Sequence, residues 1–352
     1  MADCIVIEND GAYTKVEGLG EDRDATKLSK QEIVNIVKDA GIVGLGGAGF
    51  PTHVKLSPKE PEKIEYVIVN GAECEPYLTS DYRVLMEEPE KVVAGLKVIL
   101  QLFDNAKGVI AIEDNKPEAI AAMTTACASD SNISVLEVKA KYPEGGERNL
   151  IGVVTGRQLR FGQLPADLGC VVCNVSSLNA IYRAVCKSEP LMTRLFTVSG
   201  DAVVKPHTME VRIGTSCREL LEAAGGIKPE CTAKKILCGG PMMGIAMSTL
   251  DVPIAKNNNA LTVLAEDEVE LAENQMTACL RCGRCGHVCP IGLVPQMMAE
   301  AAERKDYERY EKKLYGLDCI ACGSCTYICP AKRPLMQLFK QTKASIMAAK
   351  RK

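Results

Sequence analysis

The sequence predicts an α/β protein in which a mostly parallel sheet comes first, a smaller module of short strands follows, and a helical, cysteine-rich segment ends the chain. Three observations predict this order. β-branched runs alternate with helical patterns up to about residue 190, and short strands and turns replace them from about residue 195. Eight of the 17 cysteines lie within Cys279–Cys329. Alternating strands and helices are typical of parallel sheets covered by helices.

The elements of the first part follow from apolar spacing and caps. Residues 1–17 contain one strand pattern, at 4–7, and a turn, which is too little to fold alone. Ser29 can cap a helix, since the apolar residues after it fall at helical spacing. A glycine-rich loop covers 44–51. The predicted elements after this loop are a strand at 64–69, a helix at 92–102, a strand at 108–112 and a helix at 117–127.

The second part is predicted as a small β-grasp-like module, because short strands surround a single helix that ends at Gly225-Gly226. Its predicted elements are strands at 195–198, 203–205 and 209–212, a helix at 217–224 and a strand at 235–237. The polar stretch 251–259 is interpreted as a linker, and the chain becomes helical after Asp267. The expected segments are therefore 1–28, 29–190, 191–258 and 259–352.

Composition excludes several classes of protein. Lys and Arg total 42 against 45 Asp and Glu, aromatic residues make up 4%, and Trp is absent, so nucleic-acid binding is not expected. No apolar run approaches the roughly 18–20 residues of a membrane helix, and the N-terminus has no signal-peptide pattern. We therefore expect a cytoplasmic chain with reduced thiols, in which disulfides do not explain the cysteine cluster.

The strongest signal is a repeated cysteine motif. Cys279, Cys282, Cys285 and Cys289 precede a proline with the same spacing as Cys319, Cys322, Cys325 and Cys329. In proteins with two [4Fe–4S] clusters and this spacing, the fourth cysteine of each run ligates the other cluster. We expect one cluster on Cys279, Cys282, Cys285 and Cys329, and the other on Cys319, Cys322, Cys325 and Cys289. Paired zinc sites are the alternative, but zinc does not require the third cysteine or the prolyl cysteine.

Four further segments could hold a ligand. Gly44–Gly49 matches G-x-G-x-x-G, but a helix pattern precedes it, so an ordinary dinucleotide fingerprint is not expected. Its backbone N–H groups could still receive a phosphate, the alternative being a tight connection. Residues 70–76 follow a strand end, where open α/β sheets bind ligands; a solvated acidic turn is the alternative. Segments 142–148 and 173–177 carry no signal alone.

Together and in order, these segments resemble a known family. GLGGAGFPTHVKL, NGAECEPYLTSDYR, YPEGGERNLI and CNVSS, with GDAVVKP, CGGPMMG, CPAKRP and the two cysteine runs, resemble the C subunit of Rnf-type ion-translocating oxidoreductases from about residue 4 to 343. The first segments are also similar to the flavin- and NADH-binding subunit of complex I. The cobalamin reductase of bacterial microcompartments shares the loop and the clusters.

The resemblance implies a complex I flavin-subunit-like α/β domain, a β-grasp (SLBB-like) domain and a helical ferredoxin domain. It implies FMN contacts from Gly44, Gly46, Gly47, Gly49, Lys55, Asn70, Glu73, Glu147 and Asn174, and catalytic nucleotide contacts from Phe50, by stacking, and Glu75, through the ribose. Departures from the complex I pattern are Leu45, Ala72, Gly146 and Cys173. Residues 1–28 are expected to be the last strand of a missing lipoyl-like domain.

The resemblance implies an NADH-linked enzyme subunit that exchanges electrons between NAD(H), FMN and two [4Fe–4S] clusters. Its implied partners are the other subunits of a membrane complex and, through one of them, ferredoxin; its implied place is the cytoplasmic face of the membrane. Seven unopposed Lys and Arg residues within 331–352 could contact lipid or an acidic subunit, or form a solvated helix end. The alternatives are a cobalamin reductase-like flavin and iron–sulfur protein, and a flavin-free electron wire and docking module.

Overall fold

A computed structural model describes residues 5–350. Ile5, Val6 and Ile7 are exposed and form no strand, so the strand predicted at 4–7 is not formed in its described part. Cys4 and residues 351–352 of the basic end lie outside the described residues. Within residues 5–350, no helix combines the length and the apolar character needed to span a lipid bilayer.

The first sheet has four parallel strands in the order β3-β2-β1-β4. They are β1 (Tyr66–Asn70), β2 (Lys107–Glu113), β3 (Ile133–Val138) and β4 (Cys170–Asn174). In this register Asn70 lies beside both Ala111 and Asn174, so the carboxyl ends of β1, β2 and β4 meet at one edge. The predicted alternation of strands and helices is confirmed.

Helices cover both faces of this sheet. They are α1 (Lys30–Asp39), α2 (Thr52–Lys55), α3 (Ser80–Glu87), α4 (Pro89–Leu100), α5 (Pro117–Ala126), α6 (Glu147–Thr155) and α7 (Val175–Lys187). Ser29 caps α1 as predicted, with Glu32 completing a capping box. Val67 and Val69 of β1 pack into the core formed with α1, α4 and α7, whereas Ile68 points to the opposite face and packs with α6. We call these elements the parallel-sheet domain.

The second sheet is mixed, with the strand order β6-β5-β9-β7-β8. Its elements are β5 (Thr193–Ser199), β6 (His207–Arg212), α8 (Cys217–Ala223), β7 (Lys235–Cys238), β8 (Ile245–Ala246) and β9 (Ala260–Leu264). We call them the mixed-sheet domain. Two expectations are corrected: residues 203–205 form only a single bridge, at Val203, and β9 extends this domain past the expected boundary at 258. The Asn-rich stretch before β9 is a turn that leads into a strand.

The last part is helical and carries both cysteine runs. Its helices are α9 (Glu268–Glu273), α10 (Arg284–His287), α11 (Pro295–Glu303), α12 (Ser324–Tyr327) and α13 (Leu335–Lys350), with a π-helix at Arg309–Lys313. The helices α10 and α12 occupy equivalent places in the two runs and contact each other. Ala299, Tyr310 and Phe339 lie in the small core beneath them. We call this part the cysteine domain.

Candidate functional site

The glycine loop, Gly44–Gly49, closes on itself at the edge where β1 and β4 end. The Gly44 N–H donates to the Phe50 carbonyl over 2.8 Å, and the Gly49 N–H donates to the Gly44 carbonyl over 3.2 Å. Gly46, Gly47 and Ala48 are exposed, and within residues 5–350 their backbone N–H groups have no protein acceptor. Three unpaired donors on one turn form a concave receptor for an anion.

Geometry favours glycine at two positions of this loop. A Cβ atom at Gly46 would lie 3.2 Å from the Asn174 Nδ2 atom, so a larger residue would displace the Asn174 side chain. Gly47 has a φ of +121°, a conformation that L side chains rarely adopt. The sequence of the loop therefore fixes both its distance from the sheet and the exposure of its donors.

Lys55 adds a cation to this edge. Its ammonium donates to the Glu147 carboxylate and to the Val172 carbonyl, each over 3.0 Å. The Lys55 side chain is 25% exposed and that of Glu147 is 40% exposed, so the pair lies near the surface. We call the edge formed by the glycine loop, Lys55, Glu147 and segment 70–76 the cleft. Unpaired backbone donors beside a lysine match the chemistry of a phosphate group. The residues present therefore fit the phosphate of FMN.

The predicted polar contacts at the strand ends are bonded to the protein itself. Asn70 donates to the Gly145 carbonyl over 2.8 Å, and its Oδ1 atom accepts the Ala72 N–H over 3.3 Å. Asn174 caps α7, and its Nδ2 atom donates to the Asp81 carboxylate over 2.6 Å. Asn70 therefore joins the end of β1 to Gly145, and Asn174 joins the start of α7 to Asp81 of α3. Their direct contact with FMN stays a prediction.

Glu73 lies beneath the site in a buried acidic pair. Its carboxylate accepts the backbone N–H groups of Asp81 and Tyr82 over 2.7 and 3.0 Å, at the start of α3. Burial, and then the charge of Asp81, raise the pKa of Glu73 to about 8. Burial also raises the pKa of Asp81, although Ser176 and Asn174 donate hydrogen bonds to it. The geometry makes Glu73 a support for helix α3, and its predicted contact with FMN is untested.

Of the two predicted nucleotide contacts, one is exposed and one is engaged by the mixed-sheet domain. Phe50 is 44% exposed beside the glycine loop, as a stacking platform requires. Glu75 accepts the backbone N–H groups of Met242 and Met243 over 2.6 and 3.0 Å. Burial raises the pKa of Glu75. A Cβ atom at Gly240 would overlap the Glu75 side chain, so this loop needs glycine there.

The mixed-sheet domain also holds the glycine loop, a support that the sequence alone did not predict. Arg194, nearly inaccessible to solvent, donates to the Leu45 carbonyl over 3.3 Å and to the Lys256 carbonyl over 2.6 Å. The Lys256 ammonium donates to the Gly41 carbonyl over 2.6 Å, and Asn257 donates to the Gly47 carbonyl over 3.1 Å. The available signal was an arginine within a mostly buried strand, since a buried arginine needs acceptors.

Cys289 of the first run lies beside three cysteines of the second run, and the crossed ligation expected from the spacing stays a prediction. One cavity is lined by Cys289 together with Cys319, Cys322 and Cys325, and we call it the Cys289 cavity. Burial, and then repulsion from the other three thiolates, raise the pKa of Cys325 to about 12. Burial raises the pKa of Cys285 of the first run, and the charge of Cys329 adds to that rise. Within residues 5–350, no three or more His, Cys, Asp or Glu side chains are gathered closely enough to hold a single metal ion.

The parallel-sheet domain contacts the second cysteine run directly. The Tyr142 hydroxyl donates to the Cys322 carbonyl over 2.7 Å. Arg148 pairs with the Asp318 carboxylate over 3.2 Å, next to Cys319 in sequence. Phe161 donates its N–H to that carboxylate over 2.6 Å. The segment that begins at Tyr142 therefore belongs both to the cleft, through Glu147, and to the wall of the cysteine domain.

Comparison with protein families matches each of the three parts. Residues 37–183 match the Nuo51 FMN-binding domain, residues 195–246 match the SLBB domain, and residues 278–334 match the 4Fe-4S dicluster domain. The predicted fold class is confirmed, and so are FMN and [4Fe–4S] clusters as its cofactors. Fold and site together define a flavin- and iron–sulfur-dependent electron-transfer protein.

Full-length relatives narrow this class to one family. The chain is 45% identical to the C subunit of the proton-translocating ferredoxin:NAD(+) oxidoreductase complex of Clostridium ljungdahlii, over 98% of this chain and 75% of that one. It is 42% identical to the Na(+)-translocating counterpart of Acetobacterium woodii, over 99% and 77%. The C subunit of the Pseudomonas aeruginosa ion-translocating oxidoreductase complex is 41% identical over 100% of this chain and 45% of its own length. The chain belongs to the C-subunit family of ion-translocating ferredoxin:NAD(+) oxidoreductases.

Solved structures share the fold at lower identity. Two crystal structures of an NAD+-reducing [NiFe]-hydrogenase, in the H2-reduced and air-oxidised states, match with TM-scores of 0.62 and 0.64. Both are 22% identical, and the matches cover 90% and 94% of this chain and 63% and 65% of those chains. This likeness concerns the fold alone.

Proposed function

We propose that this chain is the peripheral electron-transfer subunit of an ion-translocating ferredoxin:NAD(+) oxidoreductase complex. In this role it exchanges electrons between NAD(H), FMN and two [4Fe–4S] clusters at the cytoplasmic face of the membrane. The carrying observation is the shared segment from Tyr142 to Arg148, which borders the cleft through Glu147 and contacts the second cysteine run through Tyr142 and Arg148. A flavin site and a cluster site with a common wall form an electron-transfer pair.

Different residues of the cleft bind different parts of FMN and of NAD(H). The N–H groups of Gly46, Gly47 and Ala48, with Lys55, receive the phosphate. When bound, FMN supplies the conversion between the electron pair of a hydride and the single electrons that clusters carry. Phe50 offers its exposed ring to a nucleotide base, and Glu75 offers its carboxylate to a ribose. The N–H groups of Met242 and Met243 both donate to Oε1 of Glu75, which leaves Oε2 to accept from the ribose.

The cysteines carry electrons away from the cleft. We assign Cys289, Cys319, Cys322 and Cys325 to the cluster next to the cleft, because their cavity borders the residues that Tyr142 and Arg148 contact. Cys279, Cys282, Cys285 and Cys329 then hold the second cluster. Cys279 and Cys282 are exposed, which suits exchange with a partner subunit.

An anaerobic NADH titration, with flavin and iron quantified on the same sample, tests this function. We expect about one FMN per chain, and bleaching of the cluster absorption on addition of NADH. A chain that carries clusters but no flavin and ignores NADH would be the flavin-free wire of the alternative interpretation. A flavin-loaded chain that reduces cobalamin but fails to assemble with membrane subunits would favour the cobalamin reductase alternative.

The site map is tested with Asn70→Ala, and Asn35→Ala on the exposed face of α1 is the matched control. Loss of the Asn70 bonds to segment 143–146 frees one wall of the cleft. A lost hydrogen bond to a buried polar group costs about 1–3 kcal/mol, so FMN affinity should fall about five- to 150-fold. Both clusters should stay, with dithionite reduction intact. Full flavin content in Asn70→Ala would show that FMN binds elsewhere in the protein.

A further inference from the structure

Tyr310 is a buried polar side chain that the site described above does not use. It is fully buried, and its hydroxyl has no hydrogen-bond partner within the described part of the chain. Buried polar atoms are almost always paired, so an orphaned one needs a specific cause. An acceptor that the polypeptide itself does not supply is such a cause.

The backbone on both sides of Tyr310 has features that accommodate its ring. Tyr310 is the second residue of the π-helix Arg309–Lys313, and π-helical turns are rare and occur frequently at functional sites. A Cβ atom at Gly316 would overlap the Tyr310 ring, so glycine is required there for the ring to enter the core. The ring also packs against Phe339, with centroids 6.3 Å apart. Three features thus fix the direction of one side chain.

The surroundings of the ring connect it to the Cys289 cavity. Phe339 lines that cavity, and Cys319 and Cys325 pack against the core that contains Tyr310. Burial raises the pKa of Tyr310, and the charges of Cys319 and Cys325 raise it further. The Tyr310 hydroxyl is thus a hydrogen-bond donor buried in the core against which Cys319 and Cys325 pack.

We propose that the Tyr310 hydroxyl donates a hydrogen bond to a sulfur atom of the cluster held by Cys289, Cys319, Cys322 and Cys325, and thereby raises the reduction potential of that cluster. The inference rests on the proposed function, since it requires a cluster in the Cys289 cavity. Hydrogen bonds to cluster sulfurs and nearby charge set such potentials. Reduction adds one electron to the cluster, and a donor stabilises the more negative reduced state while the phenol keeps its proton.

Tyr310→Phe removes the hydroxyl and keeps the ring. The matched control is Tyr327→Phe, which removes a hydroxyl from the second run itself, where the side chain is 73% exposed. Both midpoint potentials are measured on the full chain by EPR-monitored redox titration. In Tyr310→Phe we expect the reduction equilibrium of one cluster to fall about tenfold, or about 59 mV for a one-electron couple. The other cluster, the iron content and the Tyr327→Phe protein should be unchanged.

A second substitution covers the case in which Tyr310→Phe fails to load its clusters. Incorporation of 3-fluorotyrosine at Tyr310 keeps both the ring and the hydroxyl but makes the phenol a stronger donor, so the potential of the same cluster should rise. Unchanged potentials in an iron-loaded fluorotyrosine chain would overturn the inference. A wild-type chain that binds no iron after reconstitution would instead overturn the proposed function, so the two failures are distinguishable.

Discussion

The two cysteine runs have the same spacing and different surroundings. Cys279 and Cys282 of the first run are exposed, whereas every cysteine of the second run is partly buried. The second run is covered by α13 and by the contacts of Tyr142 and Arg148 from the parallel-sheet domain. An identical motif thus serves two purposes, because spacing sets the ligand chemistry while the neighbouring domain sets solvent access. The second run, which we call the inner run, lies against the parallel-sheet domain, and the first run, which we call the outer run, faces solvent.

The largest test of this comparison is the crossed ligation itself. We call the cluster expected in the Cys289 cavity the inner cluster and the other one the outer cluster. In Cys289→Ala we expect loss of the inner cluster and about half of the iron, because Cys289 lines the Cys289 cavity although it belongs to the first run. The residual EPR spectrum should match that of Cys322→Ala and differ from that of Cys282→Ala. Cys231→Ala, outside both runs, is the control. A residual spectrum like that of Cys282→Ala would show that each run holds its own cluster.

Metal removal tests the difference in exposure. A ferrous chelator, added under reducing conditions, should remove iron in two phases, the outer cluster first, since Cys279 and Cys282 are exposed to it. We expect the fast phase to be absent in Cys282→Ala and to remain in Cys322→Ala. Release in a single phase from the wild-type chain would mean that both runs are equally accessible.

The contact that distinguishes the inner run is tested with Arg148→Ala. The Arg148 and Asp318 side chains are 19% and 21% exposed, so their pairing is partly shielded from water. Its loss should destabilise the junction of the two domains by about 1–3 kcal/mol, measured by denaturant unfolding. NADH should then reduce the clusters more slowly, with dithionite reduction unaffected. Arg160→Ala, an exposed neighbour, should stay within about 0.5 kcal/mol of wild type; an equal loss in both variants would contradict a specific junction.

The smallest expected effect is the pH dependence of thermal stability that Glu73, in the parallel-sheet domain, contributes. Because the folded-state pKa of Glu73 is about 8 against an ordinary value of 4.5, the folded chain binds the extra proton between these values. The contribution of Glu73 to stability is therefore fully present below about pH 4.5 and is lost as the pH rises through about 8. Glu73→Gln should flatten the decline of melting temperature between about pH 6 and 8, while the outer cluster keeps its spectrum. An unchanged slope would show that Glu73 is not the titrating group.

Much of the fold was predictable because it rests on local patterns. The helix cap at Ser29, the β-branched run of β1 and the cysteine spacing are all encoded within short stretches of sequence. Strand β9 was missed because a turn rich in asparagine precedes it, and its place in the sheet depends on β5 and β7, which are distant in sequence. Pairing of that kind leaves no periodic signal.

The candidate site was predictable in its location more than in its contacts. The glycine loop and Lys55 lie near the end of β4, next to the strand end at residue 70 that the sequence marks as a ligand position. The bonds that engage Asn70, Glu73 and Glu75 were not predictable, because each partner is a backbone group brought near by tertiary folding. Tyr310 gave no signal either, since an isolated tyrosine among charged residues is indistinguishable from a surface one.

The support that Arg194 and Asn257 give to the glycine loop bears on how freely such chains can be recombined. Family comparison divides the molecule into three matching stretches, as if each were an independent part. The carbonyls of Leu45 and Gly47 are nevertheless held by Arg194 and Asn257, side chains of the mixed-sheet domain that flank the middle stretch 195–246. A chimera that joins this parallel-sheet domain to the mixed-sheet domain of a distant relative inherits the loop without its supports. The parallel-sheet and mixed-sheet domains are therefore expected to be exchanged together. Residues on both sides of their interface should change together among relatives.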